Sequence, residues 1–430
     1  YEVRDNAERL SALDLLGRLY KHVGNFKKSL EFYEIYKREH ELVNGEEDSL
    51  TLANCFNNLG NVYKELGDFD QAYANHLKAL HIKQRLNTLE SQVAIAISFN
   101  NLAQVCEIQG KIYEAIDFYK QSYEIMESQP KEQQTDYLFI PLLNLGAIYK
   151  NKKQFKKAEE IFKDVIEIVK RIYKDSIHLN RAHTYTNLAL FFKDSGEFER
   201  AIDYETKSLS ISRSFFRGNV NPIIADSLRN IGNIYSLKGK YKTSLDYHKE
   251  SLDMYKRIYG EENNHDIAMS LLNIADQHIK LSAYVQADAA ITKSIAIKRV
   301  LSNKYPKNNK LKLSLAQSID VLGHVYLYKK DFDSAMEAYN ESYEIKKEIS
   351  FQNNDLEVAK SHNHMGQVLY YQHDYENADK NLLESIRIKS EIYRDQKDPS
   401  IFITKTKYAM SLVMQQRFSE AHDKFKEIEK

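Results

Sequence analysis

The sequence predicts an all-α protein, an α-solenoid of about ten antiparallel helical hairpins. Three observations predict it. A small residue stands at Gly17, Gly60, Ala103, Gly146, Ala189, Gly232 and Ala275, each 43 after the last, and the ladder resumes at Gly323, Gly366 and Ala409 after one step of 48, so five residues are inserted there. A fixed period of this size marks units that bury their apolar faces against one another. Columns in phase with the ladder lie 3, 4 and 7 apart, which is helical spacing, and nothing alternates with period two. A short turn divides each unit into two helical stretches, as at Gly67-Asp68, Gly110-Lys111, Gly196-Glu197 and Gly239-Lys240. Glycine there takes the backbone angles that close one helix and let the next run antiparallel.

In the first helix of each unit, the residue before the small position is aliphatic: Leu16, Leu59, Leu102, Leu145, Leu188, Ile231, Ile274 and Leu322, then Met365. Nine after the small position a ring stands at Phe26, Phe69, Phe155, Phe198, Tyr241, Tyr284, Phe332, Tyr375 and Phe418, with Ile112 the exception. That ring is expected ahead of the second helix, filling the gap between layers. Twelve after the small position is Ala or Ser without exception, from Ser29 and Ala72 to Ala378 and Ala421, which permits close helix contact. The repeats read 3–45, 46–88, 89–131, 132–174, 175–217, 218–260, 261–308, 309–351, 352–394 and 395–430, the last truncated. No Pro/Ser/Gly-rich linker divides them, so 1–430 is expected to be one continuous solenoid. Two places are expected to deviate. Pro141 falls five before Gly146, where it must delay or kink the first helix of the fourth repeat, and the same repeat has Lys153 in place of the turn glycine. The insertion near Ser302 to Lys310 carries Lys304, Pro306, Lys307 and Lys310 and reads as a basic loop, an acceptable place for extra residues or a contact for an acidic partner.

The run Asn58-Leu59-Gly60-x-x-Tyr63-x-x-x-Gly67-x-Phe69-x-x-Ala72 resembles the tetratricopeptide repeat, and the period of 43 is similar to that of the kinesin-light-chain variant. The joining segments resemble that subtype too: Gly260-Glu261-Glu262-Asn263-Asn264-His265-Asp266-Ile267-Ala268, and Gly218-Asn219-Val220-Asn221-Pro222-Ile223-Ile224-Ala225, with the closing Ala recurring at Ala53, Ala96, Ala182, Ala316 and Ala359. The resemblance covers essentially the whole chain. It implies a right-handed superhelix and a binding role without fixing the partner, because the signature columns are structural.

Composition agrees with a soluble helical array. The 61 basic and 61 acidic residues cancel, and neutral charge disfavours nucleic-acid binding. No apolar run is long enough to span a bilayer, and no secretory signal opens the chain. Cys55 and Cys106 fall on first helices of successive repeats at unequal phases, so no disulfide is expected and a reducing cytoplasm is the default compartment. Tyr1 is not a start methionine and neither end shows a polar capping unit, which points to a segment of a larger protein.

No catalytic residue, cofactor or metal site is expected. The sequence has no phosphate loop, no CxxC, no HExxH and no GxSxG. His362 and His364 are two apart, which on a helix points them about 200° from one another.

By resemblance, the positions three before and one, four and five after the small residue line a concave peptide groove. They hold Arg18, Lys21, Asn57, Asn61, Lys64, Asn100, Gln104, Lys150, Lys193, Arg229, Asn233, His324, Tyr328, Asn363, Gln367, Tyr370 and Tyr371, the candidate site residues, with Asp14, Glu107, Asp194, Asp276, Lys280 and Asp320 among them. Side-chain amides donate and accept together, which suits the backbone of an extended peptide. A second column, Asn58, Asn101, Asn144, Asn187, Asn230 and Asn273, sits two before the small residue and has two readings: an amide ladder to a ligand, or hydrogen bonds tying adjacent helices. The inner columns lean basic early and offer tyrosines late, so an acidic partner with an aromatic anchor near Tyr328, Tyr370 and Tyr371 is expected. The resemblance to kinesin light chains, which bind such peptides, points the same way.

The leading function is a non-catalytic cytoplasmic scaffold or adaptor for peptide segments of partner proteins, with a cargo, cytoskeletal or ciliary role implied by the resemblance. The alternative is the sensor region of a larger regulator whose effector or nucleotide-binding domain lies outside these residues.

Overall fold

The computed structural model describes residues 2–22, 24–44, 48–86, 88–131, 134–260, 263–306, 308–350, 356–393 and 398–429. Among them it forms twenty α-helices and no strand. Tyr1, Glu261, Glu262 and Lys307, named above, lie outside the described residues.

The contacts group the chain into two compact units, residues 1–197 and 198–430. The first holds α1 (Glu2–His22), α2 (Phe26–Asn44), α3 (Leu50–Leu66), α4 (Phe69–Leu86), α5 (Leu89–Ile108), α6 (Ile112–Glu127), α7 (Ile140–Asn151), α8 (Phe155–Tyr173) and α9 (Leu179–Asp194). The second holds α10 (Phe198–Phe215), α11 (Pro222–Leu237), α12 (Tyr241–Tyr259), α13 (His265–Lys280), α14 (Tyr284–Lys304), α15 (Asn309–Tyr328), α16 (Phe332–Ile349), α17 (Leu356–Tyr371), α18 (Tyr375–Tyr393), α19 (Pro399–Met414) and α20 (Phe418–Glu429). Within each unit the helices pack in chain order, hairpin after hairpin, as an α-solenoid does.

Local chemistry sets the boundaries. The residue seven after each small position takes a left-handed backbone in every hairpin. Five of these are glycine, and the other five are Lys153, Ser282, Lys330, His373 and Gln416, with φ between 58° and 65°. The next amide closes the first helix: Asp68 N donates to Tyr63 O at 3.0 Å, and Gln154 N to Tyr149 O at 2.9 Å. Two residues beyond the left-handed position the ring column is itself the first residue of every second helix, from Phe26 to Phe418, rather than a filler ahead of it. Six first helices start on the side-chain caps Ser49, Thr88, Asn221, Asn264, Asn308 and Asp398, and α9 on His178, whereas α7 has none.

The small column has a partner sixteen residues on, in the second helix. A Cβ added to Gly60 would lie 2.7 Å from the His76 ring, one on Gly232 2.7 Å from His248, and one on Gly323 2.5 Å from Tyr339. All three rings are fully buried. Nineteen after the small residue a buried serine recurs and donates back to the first helix of its own hairpin: Ser122 to Ala96 O at 2.7 Å, Ser251 to Ala225 O at 2.8 Å, Ser294 to Ala268 O at 2.7 Å and Ser385 to Ala359 O at 2.7 Å. The accepting alanines are the closing column of the sequence.

A third buried column lies twenty-three after the small residue and joins each hairpin to the next. Lys83 Nζ donates to Ser98 Oγ at 2.9 Å, Lys298 to Ser318 Oγ at 2.7 Å, Lys346 to Ser361 Oγ at 3.0 Å and Lys389 to Thr404 Oγ1 at 2.8 Å. Burial pushes the ammonium groups of Lys83, Lys298 and Lys389 down to about 8.

Of the two expected deviations, the first takes the form of a late start. Pro141 sits in the first turn of α7, which runs only 12 residues after a single 3-10 turn at Asp136–Leu138. The second is corrected. The insertion is absorbed by lengthening α14 to 21 residues and α15 to 20, so that Ser302, Lys304 and Lys310 are helical and little chain remains to form a basic loop. Cys55 and Cys106 are buried free thiols.

Candidate partner-binding face

All seventeen candidate residues lie on first helices: Arg18 and Lys21 on α1; Asn57, Asn61 and Lys64 on α3; Asn100 and Gln104 on α5; Lys150 on α7; Lys193 on α9; Arg229 and Asn233 on α11; His324 and Tyr328 on α15; Asn363, Gln367, Tyr370 and Tyr371 on α17. Within each unit, hydrogen bonds between successive first helices place these columns on a common face.

In the first unit the Asn column is the tie. Asn58 Nδ2 donates to Asp14 Oδ1 at 3.3 Å, Asn101 to Asn57 Oδ1 at 2.8 Å and Asn144 to Asn100 Oδ1 at 3.3 Å, each reaching one repeat back. Asn57 Oδ1 also meets His76 Nδ1 at 2.9 Å. The column two before the small residue therefore packs helix on helix, and Asn57 and Asn100 spend their carbonyl oxygens on it. Asn61, one position after the small residue, makes no side-chain hydrogen bond among the described residues and is half-buried. The basic lean is largely neutralised within the fold: Arg18 pairs with Asp14 at 2.7 Å, and Lys150 with Asp194 at 3.0 Å, which Lys193 also approaches at 3.4 Å. Lys64 instead donates to the neutral Gln104 Oε1 at 2.9 Å, and burial lowers its pKa, opposed by the Glu65 charge and reinforced by that of Lys21. Neither Lys21 nor Lys64 has a carboxylate partner among the described residues.

In the second unit Arg229 is held by Asp226 and Asp266, while Asn233 makes no side-chain hydrogen bond among the described residues. His324 is packed against His364, with ring centroids 4.8 Å apart, and against Tyr339 at 5.7 Å. Burial pushes its pKa down to about 3, so it is a neutral floor residue. Beside it Asp320 accepts from Lys346 Nζ at 2.6 Å and faces His364 Nδ1 at 3.8 Å; the His364 and Lys346 contacts hold its carboxyl well below the usual range despite burial. Tyr328 does not join Tyr370 and Tyr371; it stacks on Tyr284 at 5.7 Å. Asn363 Oδ1 accepts from Thr404 at 3.4 Å.

Gln367, Tyr370 and Tyr371 do come together. With Gly366, Leu382, Lys407 and Met410 they line a cavity of about 190 Å³ formed by α17, α18 and α19. Lys407 Nζ donates to Gln367 Oε1 at 2.9 Å. Sequence reasoning missed Lys407 and Met410. The signal was present, because Lys407 occupies in the tenth repeat the column that Asn holds in the second to seventh. His362 meets Asn381 Oδ1 at 2.9 Å, and no group of three His, Cys, Asp or Glu side chains among the described residues is arranged to hold a metal ion.

The tetratricopeptide repeat family model matches residues 48–128, 137–214 and 223–299, more than half of the chain, and a second tetratricopeptide repeat model matches 316–349. The chain belongs to the tetratricopeptide repeat family. No curated protein matches the sequence. Solved structures similar to this tetratricopeptide array include a signal transduction ATPase with numerous domains and a tetratricopeptide repeat sensor from Pyrococcus horikoshii, at 16% identity and TM-score 0.54, covering 84% of this chain and 51% of that one. A Rap protein complexed with competence and sporulation factor is 15% identical with TM-score 0.51, over 91% of this chain and 99% of that one. A putative kinesin light chain from Podosopora anserina is 18% identical over 48% of this chain and 96% of that one, at TM-score 0.39. The array thus spans about half of the ATPase structure, and at these identities the likeness is one of fold. No helix among the described residues is long and apolar enough to cross a membrane.

Proposed function

We propose that the tetratricopeptide array is a non-catalytic scaffold or adaptor that holds an extended, acidic segment of a partner protein against the inner face of its first helices. The observation that carries this reading is the division of labour on that face. Asn58, Asn101 and Asn144 are consumed in helix packing, whereas Asn61 and Asn233 present side-chain amides that the fold does not use. A free amide beside an extended backbone supplies one donor and one acceptor. Lys21 and Lys64, neighbouring cations with no carboxylate in ion-pair contact among the described residues, supply the complement to acidic side chains. Tyr370 and Tyr371 receive the partner's aromatic anchor. A kinesin-light-chain-like cargo role in the cytoplasm is the finer form of this reading and rests on the sequence resemblance.

The test is a fluorescence-anisotropy titration with an acidic peptide carrying one aromatic residue, against its counterpart with Asn and Gln replacing Asp and Glu. Tighter binding of the acidic peptide, weakened by Lys21→Gln with Lys64→Gln, supports the reading. Equal affinity for the two peptides ends it.

A further inference from the structure

The cavity beneath α17 is a different kind of feature from the open face around it. Gly366 lies on its floor, where Leu382 packs so closely that a Cβ would fall 2.9 Å from it. Its walls are apolar and aromatic, from Leu382, Tyr370, Tyr371 and Met410, and its volume of about 190 Å³ exceeds the roughly 150 Å³ that accepts one benzene ring in an engineered apolar cavity. One ring with a short substituent fills it.

At the rim stands Lys407, a half-buried ammonium whose hydrogen-bond partner is the neutral Gln367 amide oxygen. No carboxylate lies within ion-pair distance of it among the described residues. In the joint column Lys346 has the counter-charge of Asp320, and Lys298, which has none, is held by both a backbone carbonyl and a hydroxyl, whereas Lys407 has the single amide oxygen. A half-buried cation without a counter-charge is a net electrostatic cost, which an anion arriving at Nζ removes. Burial of Lys407 lowers its pKa in keeping with that cost.

We propose that this cavity is a binding site for a small aromatic carboxylate, with the ring between Tyr370, Tyr371 and Met410 over Gly366 and the carboxylate on Lys407 Nζ. It shares Gln367, Tyr370 and Tyr371 with the partner-binding face but does not rest on that reading, since the ligand is a free small acid and not a segment of protein. Its occupant would sit at one end of the face and compete with any chain laid over Tyr370.

The experiment uses 3-phenylpropionate as the probe, by calorimetry and ligand-observed saturation-transfer NMR, with 3-phenylpropionamide as its uncharged counterpart and propionate as the anion without a ring. Saturable 1:1 binding of 3-phenylpropionate, roughly tenfold or more tighter than the amide or propionate, is expected. Lys407→Met should remove that preference while Tyr113→Ala, in the other unit, leaves it unchanged; melting curves of both variants confirm that they fold. Equal binding of acid and amide, or no saturable binding of the acid, overturns the proposal. Binding of an acidic aromatic peptide with none of the free acid overturns it as well while sparing the peptide reading.

Discussion

Gly60 and Gly323 are glycines because of residues in another helix. His76 and Tyr339 lie where a Cβ would stand, and both rings are enclosed on all sides. Gly60→Ala and Gly323→Ala should each destabilise the fold by about 1–3 kcal/mol, as overpacking does, measured by denaturant unfolding. The opposite outcome is expected at the turns. Lys330 takes φ 62° and Ser282 φ 59°, a conformation that strains side chains with a Cβ, so Lys330→Gly and Ser282→Gly should raise stability by up to about 1 kcal/mol in the same assay. The small column and the five turn glycines were legible in the sequence because both recur in phase. The side chain that fills each small position was not, because the facing residue changes among Tyr, His, Phe, Glu, Ile and Leu and only the space it occupies is constant. The inner-face amides were visible as a group, but nothing in their identity separated Asn58, which packs, from Asn61, which does not.

The second helices carry two buried columns at which polar residues recur, and they differ in what they do. The serine column closes a hairpin on itself with a neutral hydrogen bond, worth about 1 kcal/mol per site. The lysine column closes one hairpin on the next with a charge that the core disfavours. Lys298 is 1% exposed, and its pKa of about 8 lies below the value near 10.4 that it recovers on unfolding. Between about pH 8 and 10 the unfolded chain holds a proton that the folded chain has lost, so this group makes stability rise with pH across that window. Lys298→Met should therefore be as stable as the parent or more so at pH 7, with the difference shrinking by pH 9.5, read as paired thermal melts. Helix positions and lengths followed the period, including the late start forced by Pro141. The insertion was misjudged as a loop because five extra residues divided between two helices leave no break in polarity to mark them.

At the scale of the whole chain, repetition multiplies small effects. Burial holds His76 and His324 down to about 3 and His248 to about 4. These rings stay neutral in the folded chain and gain protons only on unfolding, below their usual value near 6.5. The stability they contribute is complete above about pH 6.5 and is lost as pH falls towards 4. The melting temperature should accordingly drop between pH 7 and pH 5, and His248→Leu should flatten that drop. The same repetition made the array readable from sequence while leaving its partner unread, since every conspicuous column serves packing and the residues left for recognition are those outside the pattern. The central claim is that packing and recognition are carried by neighbouring Asn positions on one helix face. Titrating the acidic peptide against Asn101→Ala, and against Asn61→Ala combined with Asn233→Ala, with a melting curve for each protein, tests it most directly. The account predicts a lowered melting temperature with retained affinity for the first and an unchanged melting temperature with weakened affinity for the second; the reverse assignment, or equal effects in both, would contradict it.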